Sequence, residues 1–479
     1  MPALIDQDLY SFAYYFSPII TLLIGAIIVA LITLVKRIKL AKMISYIFML
    51  SSLSLSFYFL SRNVEVLFFN NLISVDNFSI VSWVALIVGA IISLAALSEE
   101  LLKREAQPLL LLSLAASLIV VSTRDLILLF LAIEASVFPA YVLVAQFKRD
   151  YFSLEATIKF FIFGVLSTLL FAYGLAITYG ISGSVSFLSL YNYFEKSLLG
   201  SEKSFIILGI LLIIASLGIK STLVPLHVWA IDAYQGSPTS IAAYLSSTAK
   251  LTGIIAIALL LSTAFKPIFY LEPWFRYILA ILALITMIVP NVVALVQRNI
   301  KRLLAYSSVA HAGYMVLVFV FPSETLPLLG FYVLTYSIAK AVSFLVTNRI
   351  SGEGSESPYE RLLALFKIDP LAATTFTVAL LSLAGIPPFA GFMAKFLLFL
   401  NVAFSSILGV YLALVALIMS GVSVYYYAYL IRLEVIIEKN SLLKSNKTLE
   451  TDIMMIISII ALLLLTFFPS YFYYQKILF

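Results

Sequence analysis

The sequence predicts an all-α membrane protein of about fourteen transmembrane helices. Three observations carry this. Of 479 residues, 63% are hydrophobic and 11% charged, with mean hydropathy +1.09. A soluble domain carries about 25% charged residues, so much of this surface must face lipid. The apolar runs are continuous for about 20 residues and lack period-two alternation, which favours helices over a barrel. The basic residues gather in the short loops between runs, where the positive-inside rule puts them.

The runs fall at 17–36, 42–60, 78–98, 107–122, 125–147, 155–179, 205–230, 239–263, 274–296, 303–321, 325–347, 371–400, 405–432 and 452–473. The first three occupy an N-terminal group, 1–106. The stretch 62–77 is too polar to span and is expected as an exposed loop. Runs 205–230 and 371–400 are interrupted by proline, and they lie five runs apart. That spacing suggests two five-helix repeats, 107–263 and 274–432, of inverted topology. Residues 433–479 supply a loop and the final helix.

The loops test the order. One side holds Lys36, Arg37, Lys103, Lys148, Arg149, Lys301, Arg302, Arg349, Lys439 and Lys444, among others. The other holds Arg62, Arg124 and Lys476, among others. The balance is roughly 18 basic residues against 7. The richer side is expected to be cytoplasmic, so both termini face outward from a multi-pass plasma-membrane protein.

Composition also excludes. There are no cysteines, so disulfides, thiol nucleophiles and cysteine-ligated iron–sulfur clusters are ruled out for this chain. The two histidines, His227 and His311, are too few for the usual metal sites. The sequence pI near 9.1 does not point to nucleic acid, because the basic residues sit in loops between spans. Asp6 and Asp8 precede the first run, the reverse of a signal peptide's basic start.

Five lysines remain inside the runs: Lys159, Lys220, Lys250, Lys340 and Lys395. A charge at mid-bilayer costs about 2.5–3.5 kcal/mol on insertion scales. Glu134 lies about 14 Å along its helix from Asp125, near mid-membrane. It could be a neutral carboxylic acid inside a bundle, but intramembrane carboxylates usually serve transport. Lys250 lies eleven residues past Thr239, too deep to reach an interface easily. Lys220 precedes Pro225, and a broken helix with a lysine at the break is the build of a transporter site. Gly385-Ile-Pro-Pro-Phe-Ala-Gly-Phe-Met-Ala-Lys395 repeats that build. Lys340, in Ser337-Ile-Ala-Lys340, is central. Lys159 is near the start of its run, where it could snorkel or serve as a relay. His311 and His227 are possible proton relays, since imidazole titrates near neutrality.

A carboxylate about 7 Å from a lysine, at an effective dielectric of about 20, contributes roughly 2.4 kcal/mol. Making or breaking a Glu134–Lys220 contact could therefore switch the lysine. A chain of such lysines passes a proton sideways without a continuous water pore.

Four stretches carry a family resemblance. Lys301-Arg-Leu-Leu-Ala-Tyr-Ser-Ser-Val-Ala-His-Ala-Gly-Tyr314 resembles the signature of subunit N, the antiporter-like membrane subunit of complex I-type NADH-quinone oxidoreductases. So do Val224-Pro-Leu-His-Val-Trp-Ala-Ile-Asp-Ala-Tyr-Gln-Gly-Ser-Pro238 and the Gly385–Lys395 stretch, and Val422-Ser-Val-Tyr-Tyr-Tyr427 resembles its thirteenth helix. The resemblance covers about residues 120–430. It implies fourteen helices, with helices 7 and 12 broken. It implies proton translocation by Glu134, Lys220, Lys250, His311 and Lys395, with Glu134 modulating Lys220 and Lys395 exchanging protons with the outside. It implies partners: antiporter-like subunits L and M, small subunits K, J and A, and the H-type subunit that holds the quinone site. Quinone, iron–sulfur clusters and flavin or another electron donor would belong to those partners, with no cofactor here. One departure is Lys340, which resembles the lysine of subunits L and M and of cation/proton antiporters. It leaves open a sodium/proton antiporter or membrane-bound hydrogenase subunit.

Overall fold

The computed structural model describes residues 2–147, 150–197, 200–436 and 446–473. Lys148, Arg149, Lys439, Lys444 and Lys476, expected as loop charges, lie outside the described residues. The described chain is dominated by α-helix. In order these are α1 (Ser17–Leu34), α2 (Ile38–Ser61), α3 (Asn77–Ala95), α4 (Ala106–Ser122), α5 (Leu126–Val144) and α6 (Tyr151–Ser182). There follow α7 (Lys203–Lys220), α8 (Val228–Gly236), α9 (Thr239–Ser262), α10 (Pro273–Ala294), α11 (Ile300–Val320) and α12 (Pro322–Ser351). The last are α13 (Pro370–Ala384), α14 (Ala390–Ser405), α15 (Ile407–Val435) and α16 (Leu449–Leu464). Shorter helices join them. By length and composition, twelve helices among the described residues can cross a membrane, while α4, α13 and α14 are apolar but shorter.

Local chemistry starts these helices where the sequence changes from polar to apolar. Asp76, Asp125, Asn299 and Asp369 accept hydrogen bonds from the free N–H groups of the first turns of α3, α5, α11 and α13. Every expected run falls on an apolar helix, with two refinements. The run 371–400 is two helices, α13 and α14. The run expected at 205–230 stops at Lys220 and resumes as α8, which continues to Gly236. Pro225 has no N–H to continue α7, so the backbone turns before restarting.

Packing sorts the helices into two classes. α3, α9, α11 and α12 are almost wholly enclosed. α6, α15 and α16 keep most of their residues outward, and Leu169, Leu417 and Ile457 are exposed. Lipid is as apolar as these side chains, so no burial is needed there. At one crossing, α10 and α11 touch backbone to backbone. A Cβ on Gly313 would lie 2.7 Å from the Met287 nitrogen, which only glycine avoids.

Three sequence expectations are corrected. The stretch 62–77 is not an exposed loop throughout. It folds into the antiparallel hairpin β1 (Val66–Phe68) and β2 (Ile73–Val75), and β2 is buried. Its polar end is tolerated because Asp76 pairs with Arg124 at 2.7 Å, both side chains fully enclosed. Arg124 is therefore not an open loop charge. Lys301 and Arg349, also expected in loops, are buried as well. Lys301 donates to the carbonyls of Ser237 and Gly354, and Arg349 pairs with Asp369 at 2.7 Å and with Asp452.

Candidate functional site

The site is a row of ionisable side chains, buried except for the half-buried Glu134, that passes through the enclosed helices α9, α11 and α12. It begins on α5 and α7. Glu134 accepts a hydrogen bond from the Lys220 ammonium at 2.9 Å, closer than the 7 Å separation used for the sequence argument. Lys220 is the last residue of α7, at the break. Just beyond it, Thr222 holds a left-handed φ of 62°. Ser221 Oγ, Thr222 Oγ1 and His227 Nδ1 are buried there without protein partners. Such atoms are the usual hosts of buried water.

Between Lys220 and Lys250 is a cavity of about 30 Å³, also lined by Tyr141, Trp229 and Thr252. A water needs at least about 10–15 Å³, so this space is large enough to hold water beside the two lysines. Lys250 follows a π-helical turn, Leu245–Ala249, inside α9. Such turns are frequent at functional sites. Lys250 donates to Ser308, both its carbonyl and, at 2.9 Å, its hydroxyl.

Ser308 lies on α11, and its hydroxyl shares a 2.8 Å hydrogen bond with Tyr336 of α12. Lys250 and Lys340 lie 5.5 and 6.0 Å from the Tyr336 ring centre. The negative ring face attracts both cations. Lys340 donates to the Leu304 carbonyl at 2.9 Å and the Ser307 hydroxyl at 2.6 Å. His311, one turn further along α11, shares a 3.0 Å hydrogen bond with the Tyr332 hydroxyl. It packs against Tyr336 and Tyr314. Tyr314 leads to Lys395, whose ammonium is 5.0 Å from that ring's centre. Lys395 donates to the Ala384 carbonyl at 3.1 Å and the Ser420 hydroxyl at 3.0 Å.

The residue types decide what this arrangement can do. Lysine, histidine, tyrosine and serine all exchange protons. Among the described residues, only Glu134 brings an opposite charge to a lysine of the row. Lys250, Lys340 and Lys395 are held by neutral oxygens and ring faces, which suit an ammonium and a neutral amine more equally than a carboxylate does.

A sequence model of the family described as NADH:quinone oxidoreductase/Mrp antiporter, TM, matches residues 123–423. "NADH-quinone oxidoreductase subunit N" of Chlorobium chlorochromatii is 32% identical over 430 residues, 86% of this chain and 83% of that one.

The chain belongs to this family, on its subunit N branch.

"NADH-quinone oxidoreductase subunit 14" of Thermus thermophilus is 40% identical over 308 residues, covering 64% of this chain and 65% of that protein, a little under two thirds of its length. Among solved structures, a chain of respiratory complex I from Thermus thermophilus superposes with a TM-score of 0.81 at 29% identity, covering 95% of this chain and 97% of that one.

In this subunit N-type chain, the fold brings Glu134, Lys220, Lys250, Lys340, His311 and Lys395 into one row. It does not bring in Lys159, which is 37% exposed and paired with Glu155 at 2.5 Å and Asp232 at 2.6 Å. There the charge is met by surface partners. His227 lies at the start of α8, half-buried, beside the break rather than in the row. Among the described residues, no group of three His, Cys, Asp or Glu is placed to hold a metal.

Sequence reasoning missed the residues between the lysines: Tyr314, Tyr332, Tyr336, Ser307, Ser308 and Ser420. A signal was present. Tyr332, Tyr336 and Lys340 are spaced by four, as are Ser307 and His311, so each set shares a helix face.

Proposed function

We propose that this chain translocates protons as the subunit N-type membrane subunit of a complex I-like quinone oxidoreductase. The observation that carries this is the continuous row from Glu134 to Lys395, broken helix to broken helix, with one carboxylate at its end. Protons load from the lysine- and arginine-rich side, expected to be cytoplasmic, and leave from Lys395. The two five-helix units, 107–263 and 274–432, each carry one broken helix. The chain holds no redox centre; quinone, iron–sulfur clusters and flavin or another donor reside in partner subunits. Partners would be antiporter-like subunits L and M, small subunits K, J and A, and the H-type subunit that holds the quinone site.

Making or releasing the Glu134–Lys220 pair changes whether Lys220 prefers to be charged. That change passes to Lys250 across the small cavity, then by way of Tyr336 and His311. Each charge moved against 100 mV takes about 2.3 kcal/mol, which quinone reduction in the partners must supply.

Mass spectrometry of the complex purified from native membranes tests the assignment. Quinone-site and iron–sulfur subunits are expected alongside this chain. A sodium/proton antiporter subunit is the second reading, favoured by Lys340 in the row and by the family's inclusion of Mrp antiporters. Recovery of small antiporter subunits alone would select it.

A further inference from the structure

Away from the row, one carboxylate stands out. Glu353 lies in the loop after α12, between two cavities of about 670 and 1200 Å³ on the lysine- and arginine-rich side, and lines both. It accepts hydrogen bonds from Ser240 N–H at 2.9 Å and Ser98 N–H at 3.1 Å. It also accepts from the Ser240 hydroxyl at 2.8 Å and the Asn348 amide at 3.4 Å. Ser240 is in the first turn of α9, which carries Lys250, and Asn348 is in the last of α12, which carries Lys340. Thr239 donates to the Gly352 carbonyl at 2.7 Å, and Lys301 donates to the carbonyls of Gly354 at 3.1 Å and Ser237 at 2.6 Å. The three helices α9, α11 and α12 therefore meet at this loop.

From Lys301 the face of α11 runs inward. Leu304 O, which accepts from Lys340, is one turn on, and Ser308, which accepts from Lys250, is about 10 Å from Lys301 along the axis. Around Glu353, Ser98 Oγ, Ser237 Oγ and Asn348 Oδ1 are buried without protein partners, as expected of groups that hold water. The charges facing it across one cavity are Lys39, Lys42, Glu99, Arg349 and Glu450. Across the other they are Glu100, Arg104, Asp150 and Glu356. Burial pushes its carboxyl above the ordinary carboxylate range, against the Ser240 and Ser98 hydrogen bonds and the Lys301 charge.

We propose that Glu353 is the proton-loading group of this side, taking protons from the two cavities and delivering them along α11 to Lys340 and Lys250. The assignment rests on the proton-translocating function proposed above. In the step, the carboxylate takes a proton from water and becomes a carboxylic acid. It then passes the proton through the water-holding shell to a neutral lysine amine, which becomes ammonium.

The test is proton pumping by the whole complex in membrane vesicles, driven by its own electron donor and followed with a pH-sensitive dye. Glu353→Gln cannot ionise, and its single amide oxygen keeps an acceptor for one of the Ser98 and Ser240 N–H groups. Its pumping rate is expected to fall about tenfold or more, while Glu353→Asp restores most of the rate with a shifted pH profile. Parent-rate pumping by Glu353→Gln overturns the assignment. If the Gln variant fails to assemble, Glu353→Asp decides, and an unchanged pH profile overturns the assignment. Lys220→Ala in the same assay separates the two claims. If it stops pumping while Glu353→Gln does not, only the Glu353 role fails; if it pumps normally, the translocation reading fails.

Discussion

The two broken helices solve one problem differently. In the first, the lysine precedes the break: Lys220 ends α7, and its ammonium meets the Glu134 carboxylate at 2.9 Å. In the second, the lysine follows the break: Lys395 lies within α14 and reaches back to Ala384, the last residue of α13, and across to Ser420. The Lys395 ammonium thus reaches the carbonyl end of a half-helix, where the helix dipole favours a cation. Among the described residues, only Lys220 has a counter-charge. A carboxylate adds a full opposite charge to its hydrogen bond with an ammonium, which a neutral oxygen does not. The row is therefore asymmetric, with a carboxylate partner at one end and neutral oxygen partners at the other.

The largest effect should come from removing either lysine. Lys220→Ala and Lys395→Ala are each expected to lower proton pumping about a hundredfold or more, measured by dye quenching in vesicles. If one variant pumped normally, the row would not run from break to break.

Removing the partners should give smaller, unequal losses. Glu134→Gln takes away a charge-assisted bond worth about 1.5–3 kcal/mol, roughly tenfold or more in rate. Ser420→Ala takes away a neutral partner of Lys395 and leaves the Ala384 carbonyl. Its loss is expected nearer 1 kcal/mol, about fivefold. Pumping rates in the reverse order would break the asymmetry.

The backbone at the two breaks offers a finer test. Gly385 adopts φ 81°, and a Cβ there would lie 2.9 Å from Lys395 Cδ. Gly385→Ala should lower stability by about 1–2 kcal/mol and disturb the Lys395 contacts, seen as a lower Tm and slower pumping. At the first break, Thr222 holds φ 62° with a β-branched side chain. Thr222→Gly should relieve that strain and raise stability by up to about 1 kcal/mol. A fall in Tm would mean that the Thr222 hydroxyl matters more than the strain.

The sequence by itself determined the membrane class, the order of the apolar helices, both interruptions and the ionisable residues of the row. Each has a local cause. Lipid demands long apolar runs, proline ends a helix wherever it falls, and a charge among apolar neighbours is conspicuous in one dimension. Tertiary structure alone decided which of those charges meet. Lys220 and Glu134 are 86 residues apart, and Lys250 and Ser308 are 58 apart. Nothing in periodicity fixes such pairs. Depth along the run set Lys159 apart from the more central Lys340, but it could not show that Glu155 and Asp232 pair the first while Tyr336 faces the second. The sequence took Arg124 and Lys301 for loop charges because their partners, Asp76 and the carbonyls of Ser237 and Gly354, come from distant turns. Burial is a property of the whole packed bundle, and a single chain position carries no record of which helix will cover it.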